Sequence, residues 1–346
     1  MNDLPLIGVG ASAGGIEALF DLVAGIDADL DAAVLVVVHQ AADAPSVLAG
    51  LLDRRCALSV ASAEGGERLE RGRVLVAPPD HHLHVVDGRV EVSRGPKENG
   101  HRPGIDPLFR SLALAAGPRA TGVVLSGMLD DGAAGLLDLV RHGGTAVVQE
   151  PGDALYDGMP TAALEQVPGA LVRPAREIGP ALTEIVARRP LDVARPSAQL
   201  AYEVRISRGD EVEMTEHDPP GAPAGLSCPD CAGPLFDLGS EDRPRYRCRT
   251  GHAWSVVSLG AEQDETAERA LYAALRALED KMALARRVAS SAEGSGATTV
   301  AARSRKSARE AMRSAVVLRR LLTGSGGAAN GRADPEGSEG DDGSVR

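Results

Sequence analysis

The chain has 346 residues, enough for about two domains and a smaller module. Three Phe, four Tyr and one Trp make the aromatic fraction only 2%, so a core must come from Ala, Val, Leu and Ile, and a base-stacking single-strand surface is disfavoured. The formal net charge of −12 argues against nucleic acid as a partner. Asp3 stands where a secretory signal would carry positive charge, and the longest purely apolar run, 32–38, is too short to insert in a bilayer. Of four cysteines, Cys228, Cys231 and Cys248 cluster and Cys56 stands alone. That pattern suits a cytoplasmic protein with a local metal site better than a disulfide framework.

In chain order, short β-branched runs at 5–9, 33–38, 73–77, 122–126, 145–149 and 170–173 predict strands. The segments 15–24, 45–55, 105–116, 132–142, 161–166 and 175–188 predict helices between them. Uniformly apolar strands separated by helices indicate an α/β, doubly wound, mostly parallel sheet covered on both faces. Around Asp87-Gly88, 83–86 and 89–92 predict a small antiparallel hairpin with a type I′ turn. Segment 191–225 is rich in Pro and acids and reads as a linker carrying at most one strand. Residues 226–259 hold the cysteine module, and 260–323 a helical hairpin. Its first helix shows an apolar stripe at Leu271, Leu275, Leu278 and Met282. Its second carries seven Lys/Arg against one Glu over 301–320. The pair suits docking, dimerisation or packing on the cysteine module alike. The Gly/Ser/acid stretch 324–346 is expected to be a disordered tail.

The first strand runs into Gly10-Ala11-Ser12-Ala13-Gly14-Gly15 and then a helix. One reading is a dinucleotide fingerprint on Gly8, Gly10 and Ala13, which lets a pyrophosphate approach a helix N-terminus. It needs an acid at the end of the second strand, where His39 stands instead. The other reading is a nucleophile elbow, G-x-S-x-G, that raises Ser12 above the sheet. Serine needs a base to take its proton, and His39 sits at the matching end of the next strand. The loop after 122–126 offers Asp130 and Asp131 to orient that imidazole. The order Ser, His, Asp differs from the α/β-hydrolases, whose His comes last.

These residues resemble a known family. The elbow, His39 and Ser126-Gly-Met-Leu-Asp-Asp131 are similar to the catalytic domain of the CheB-type chemotaxis protein-glutamate methylesterases. So are the stretches 76–83, 106–111 and 158–160, and the likeness runs over about residues 5–188. The resemblance implies hydrolysis of γ-glutamyl methyl esters on chemoreceptors, a carboxylic ester hydrolase activity, with glutamine deamidation in many members. It implies Ser12 as nucleophile, His39 as base, Asp131 as its orienting acid and the Met128 backbone N–H as oxyanion donor. No cofactor is needed for that chemistry. Three positions depart from the common pattern: Ala13 for Thr, Leu129 for Gly and Asp130 for Asn. Because the likeness starts at residue 5, no receiver domain is expected ahead of 1–190, and control by phosphorylation in cis is not expected either.

Cys228-Pro-Asp-Cys231 and Cys248-x3-His252 have the spacing of two knuckles on one structural Zn²⁺. So small a module would draw its folding energy from the metal. A similar zinc-ribbon-like module recurs behind stand-alone domains of the resembled family. His81, His82 and His84 also invite a metal reading, but without a third ligand nearby a hairpin at the site's rim is preferred. Cys56 reads as a small packed side chain. The expected partner is a methylated chemoreceptor or similar signalling protein. The alternatives are a silent adaptor on the same fold with its zinc module, and a nucleotide-binding protein.

Overall fold

The structure, a computed structural model, describes residues 3–188, 197–210, 221–239 and 244–325. The chain begins β1 (Leu6–Ala11), α1 (Gly15–Ala24), β2 (Ala33–Val38), α2 (Leu48–Asp53), β3 (Ser59–Ser62) and β4 (Arg73–Val76). The hairpin β5 (His82–Val86) and β6 (Arg89–Ser93) follows. Then come α3 (Ile105–Ala116), β7 (Ala120–Val124), α4 (Ala133–Arg141), β8 (Thr145–Gln149), α5 (Gly158–Gln166), β9 (Leu171–Arg173) and α6 (Ala175–Ala187).

Seven strands make one sheet in the order β3-β4-β2-β1-β7-β8-β9, every neighbouring pair parallel. Side chains alternate across it. Leu35 and Val37 join a core with α3, α4 and α5, while Val34, Val36 and Val38 join a second core with α1, α2 and α6. The expected doubly wound fold is therefore present, with β3 added. That edge strand, Ser-Val-Ala-Ser, is too short and too polar to stand out as an apolar run. The hairpin turns as its sequence requires, with positive φ at Asp87 (49°) and Gly88 (73°). The chain builds one side of the sheet from β1 and then crosses back to place β7 on the other side of β1. Ligand sites of open α/β sheets lie at the carboxyl ends of strands beside such a reversal.

The segment read as a linker contains a helix, α7 (Ala198–Arg208). Ser197 caps it by accepting from the Leu200 N–H at 3.1 Å, and Leu200 and Val204 pack inward four residues apart. Arg208 grips Glu91 of β6 through two bonds of 2.8 Å. The flanking acids and prolines mask this short period when composition is averaged over the whole segment. Linker residues 191–196 and 211–220 lie outside the described ones, as do tail residues 326–346.

A four-stranded antiparallel sheet follows: β10 (Ala222–Ser227), β11 (Pro234–Asp237), β12 (Arg245–Cys248) and β13 (Ala253–Ser255). Its core is Cys228, Leu235, Cys248, Trp254 and Leu259. α8 (Val256–Gly294) and α9 (Thr298–Ser325) end the described chain. From residue 263 onward these helices form a separate unit. In that unit Leu275, Ala289, Ala301, Ala308, Ala311 and Ala315 are buried, and Arg305 pairs with Glu293 at 2.6 Å. Among the described residues, no helix is long and apolar enough to cross a membrane.

Candidate active site

β1 delivers Ser12 one residue past its end, directly between β2 and β7. The Ser12 N–H donates to Ser126 O at 3.0 Å, which anchors the turn to the end of β7. Gly14 closes that turn at φ 65°, a conformation glycine adopts without strain, and opens α1. Gly127 lies so close that a Cβ there would sit 2.9 Å from Ser12 Cβ and 2.1 Å from Met159 Sδ. Only hydrogen fits that position, and the acid loop can therefore lie against the serine.

His39 follows β2, its N–H bonded to Ala11 O at 3.1 Å. Its Nδ1 lies 3.1 Å from Ser12 Oγ, and its Nε2 lies 2.8 Å from Asp131 Oδ2. Asp131 is buried in front of α3. The Ile105 N–H donates to its Oδ2 at 2.8 Å, and Asn99 Nδ2 to its Oδ1 at 2.9 Å. Burial alone would raise its pKa. The hydrogen bond from His39, the imidazole's charge and the Ile105 amide outweigh burial and hold the carboxyl well below the usual range. An ionised Asp131 accepts a hydrogen bond from Nε2–H, which keeps the proton on that nitrogen and leaves Nδ1 bare to accept from the Ser12 hydroxyl.

The ring of His101 stacks on that of His39, centroids 3.7 Å apart and planes 15° from parallel. Burial and the nearby charge of His39 push His101 down to about 4, so it is a neutral plate at neutral pH. Among the described residues the N–H groups of Ala13 and Met128 make no hydrogen bond within the protein. Ala13 follows Ser12 directly, and Met128 follows Gly127, which lies against Ser12. Around them Ile16, Met128, Leu155 and Tyr156 expose apolar surface. Asp130 faces elsewhere: its Oδ1 accepts from Ser255 Oγ at 2.7 Å and Ser258 Oγ at 2.8 Å. Leu129 holds φ 59°, a region costly for a branched side chain.

Nothing in the sequence marks Asn99, His101 or the Ile105 N–H as part of the site. Asn99-Gly100 there looks like an ordinary turn. Among the described residues His82 and His84 fall in no cluster that could hold a metal. His82 accepts from the Gly104 N–H at 3.0 Å and donates to Pro96 O at 2.9 Å, and His84 is buried beside Ser93. Cys56 is half-buried, and burial raises its thiol pKa.

Cys228, Cys231, Cys248 and His252 bring their ligand atoms within 4.8 Å of one another. A tetrahedral zinc with bonds of about 2.3 Å to sulfur and about 2.0 Å to nitrogen sets S···S near 3.8 Å and S···N near 3.5 Å. Cys231 and Cys248 sulfurs are 3.7 Å apart, and Cys248 Sγ is 3.5 Å from His252 Nδ1. The donor set therefore fits such a metal. Hydrogen bonding within the cluster lowers Cys248 and raises Cys228, and Cys248 also raises His252 to about 9. Sulfurs this close compete for protons, a competition that a divalent cation removes.

Residues 7–182 match the family model of the CheB methylesterases. The chain belongs to the CheB methylesterase family. A protein-glutamate methylesterase/protein-glutamine glutaminase of Xanthomonas campestris is 41% identical over 162 residues, 46% of this chain and 45% of that protein. One from Methanosarcina acetivorans is 35% identical over 189 residues, 52% of this chain and 53% of its own. The chain thus spans about half the length of the curated relatives it matches. The crystal structure of the Thermotoga maritima CheB methylesterase catalytic domain superimposes with a TM-score of 0.50 at 29% identity. All of that chain and 54% of this one are covered. The α/β sheet is thus the family's catalytic-domain fold.

Proposed function

We propose that the chain is a serine-dependent protein-glutamate methylesterase acting on methylated chemoreceptors or similar signalling proteins in the cytoplasm. The observation that supports this most is the hydrogen-bonded run from Ser12 Oγ through His39 to Asp131 at the ends of β1, β2 and the β7 loop. Ser12 attacks the ester carbonyl while His39 Nδ1 takes the hydroxyl proton. Asp131 keeps the other ring nitrogen oriented and stabilises the imidazolium. The carbonyl oxygen, now negative, receives the N–H groups of Met128 and Ala13. His39 returns its proton to the departing methoxide, which leaves as methanol. Water then hydrolyses the acyl-serine, His39 again acting as base, and frees glutamate. The same attack on a receptor glutamine would release ammonia, in keeping with the second activity in the relatives' names.

No metal takes part in these steps. The module's ligands Cys228, Cys231, Cys248 and His252 would hold one Zn²⁺, which when bound supplies a cross-link between two knuckles. The domain limits 1–190, 226–259 and 260–323 follow the same reading. The test is methanol release from methylated receptors of the same cell. Wild type is expected to release it and Ser12→Ala to lose it while still binding. Release by neither would favour an adaptor.

A further inference from the structure

The cysteine module and the Ser12–His39–Asp131 run meet at one short segment, 97–101. The Asn99 N–H donates to Ala253 O at 2.8 Å, and Ala253 N–H to Lys97 O at 3.2 Å, so the segment extends the module's sheet along β13. The Asn99 side chain is buried and fully used. Its Oδ1 accepts from the Ser255 N–H at 2.8 Å. Its Nδ2 donates to Asp131 Oδ1 at 2.9 Å and to Asp106 Oδ2 at 3.2 Å. The Asn99 backbone sits at φ 51°, which asparagine tolerates better than most residues. Beside it, Trp254 lies against Gly100, and the next residue, His101, stacks on His39. Asp130, adjacent to Asp131, is held by Ser255 and Ser258.

β13 begins immediately after His252, one of the four candidate metal ligands. The residues that carry these bonds, Ala253 and Ser255, are thus held in place by a strand whose first anchor is the metal site. Below the segment, buried Glu98 meets Arg110 of the α/β domain at 2.8 Å and Arg247 and Arg245 of β12 at 3.2 and 3.3 Å. Without the Asn99 amide, Asp131 Oδ1 keeps only the Asp106 N–H at 3.4 Å. A carboxylate whose second oxygen keeps only that one long bond can rotate away from the line to His39.

We infer that the cysteine module is a working part of the esterase site, and that Asn99 is the positioning residue through which its metal-held fold fixes Asp131. This rests on the function proposed above. Occupancy of the Cys/His cluster then sets the fraction of protein whose His39 points correctly at Ser12, which couples hydrolysis to zinc supply.

The experiment uses the full chain loaded with Zn²⁺ and follows four readouts: kcat and KM for methanol release, the His39 ring nitrogens by ¹⁵N NMR without substrate, Trp254 emission, and zinc content. Asn99→Gly keeps the backbone free to adopt its φ and removes only the amide bridge. It is expected to lower kcat by about 10- to 100-fold with KM changed less than about twofold, as for residues that orient an active group. Its His39 signals should move from a single Nε2–H tautomer to a mixture, with zinc content unchanged. In wild-type protein, chelating the zinc should red-shift Trp254 and produce the same His39 mixture and the same kcat loss. Added Zn²⁺ should reverse all three. Unaltered His39 signals in both the metal-free protein and Asn99→Gly overturn the inference, as does full kcat in the metal-free protein. The chelation arm needs no substitution and decides even where Asn99→Gly fails to fold. Ser12→Ala should lose methanol release but keep the His39, Trp254 and zinc readouts. If wild type releases no methanol, the proposed function fails while the His39 readout still decides the coupling.

Discussion

The α/β domain and the cysteine module stay folded by different means. The first buries two continuous aliphatic layers, one on each face of seven strands, and among aromatics fully buries only Phe109. The second has a core of five buried residues, two of them cysteines, around the chain's one tryptophan. A layer of that area is stable by apolar burial alone, whereas so small a cluster needs a cross-link. The difference teaches where each region is vulnerable. Substitution in the large domain is expected to be felt locally, whereas loss of one ligand in the small module is expected to unfold that module.

The contrast can be broken or sharpened by graded perturbation. Ser12→Ala should lower methanol release by at least about 10⁴-fold, with the thermal melt of neither region displaced. Cys248→Ser should bring zinc content close to zero and expose Trp254, seen as a red shift in emission, while far-UV circular dichroism keeps the α/β signal. If both regions melt together, the contrast fails. Glu98→Ala removes the buried carboxylate that Arg110, Arg245 and Arg247 share at the seam, leaving Arg247 with Glu203 and Arg110 with Asp106 and Asp138, and should destabilise the protein by roughly 3–5 kcal/mol in urea titration.

A smaller effect is pH-dependent. Burial would raise Glu203, but Arg245 and Arg247 overcome it and hold its pKa at about 2. An unfolded Glu titrates at about 4.3. The group binds its proton more weakly when folded, so its contribution is complete above about pH 4.3 and is lost as pH falls towards 2. The stability gap between wild type and Glu203→Gln should therefore be full at neutral pH and close over that window, whatever happens to the metal. Smallest of all, Cys56→Ala should alter methanol release by less than about twofold, since a thiol with a raised pKa is no nucleophile at neutral pH.

What the sequence makes legible follows the range of the interactions involved. β1, β2 and β7 announce themselves by apolar runs, and Ser12, His39 and Asp131 by standing just past those runs. Asn99 and His101 do not, because their meaning lies in partners 32 and 62 residues away, Asp131 and His39. Asp130 looks like a charge added to the site until Ser255 and Ser258 are seen to take it. α7 hides for another reason: Glu203 interrupts its buried face and is tolerated only because arginines of β12 meet it. A local period cannot foresee a remote counter-charge.

Glu98 bears on how this chain can be divided. A fragment ending where the family match ends, at residue 182, would keep Glu98 and Arg110 but discard Arg245, Arg247 and Glu203. Its new surface would carry a half-compensated charge and an unpaired strand edge at 97–99, an invitation to self-association. Similarity to the family model stops at residue 182, while bonds to the α/β domain continue past it, from Arg245 and Arg247 of β12 and from Ala253 and Ser255 of β13.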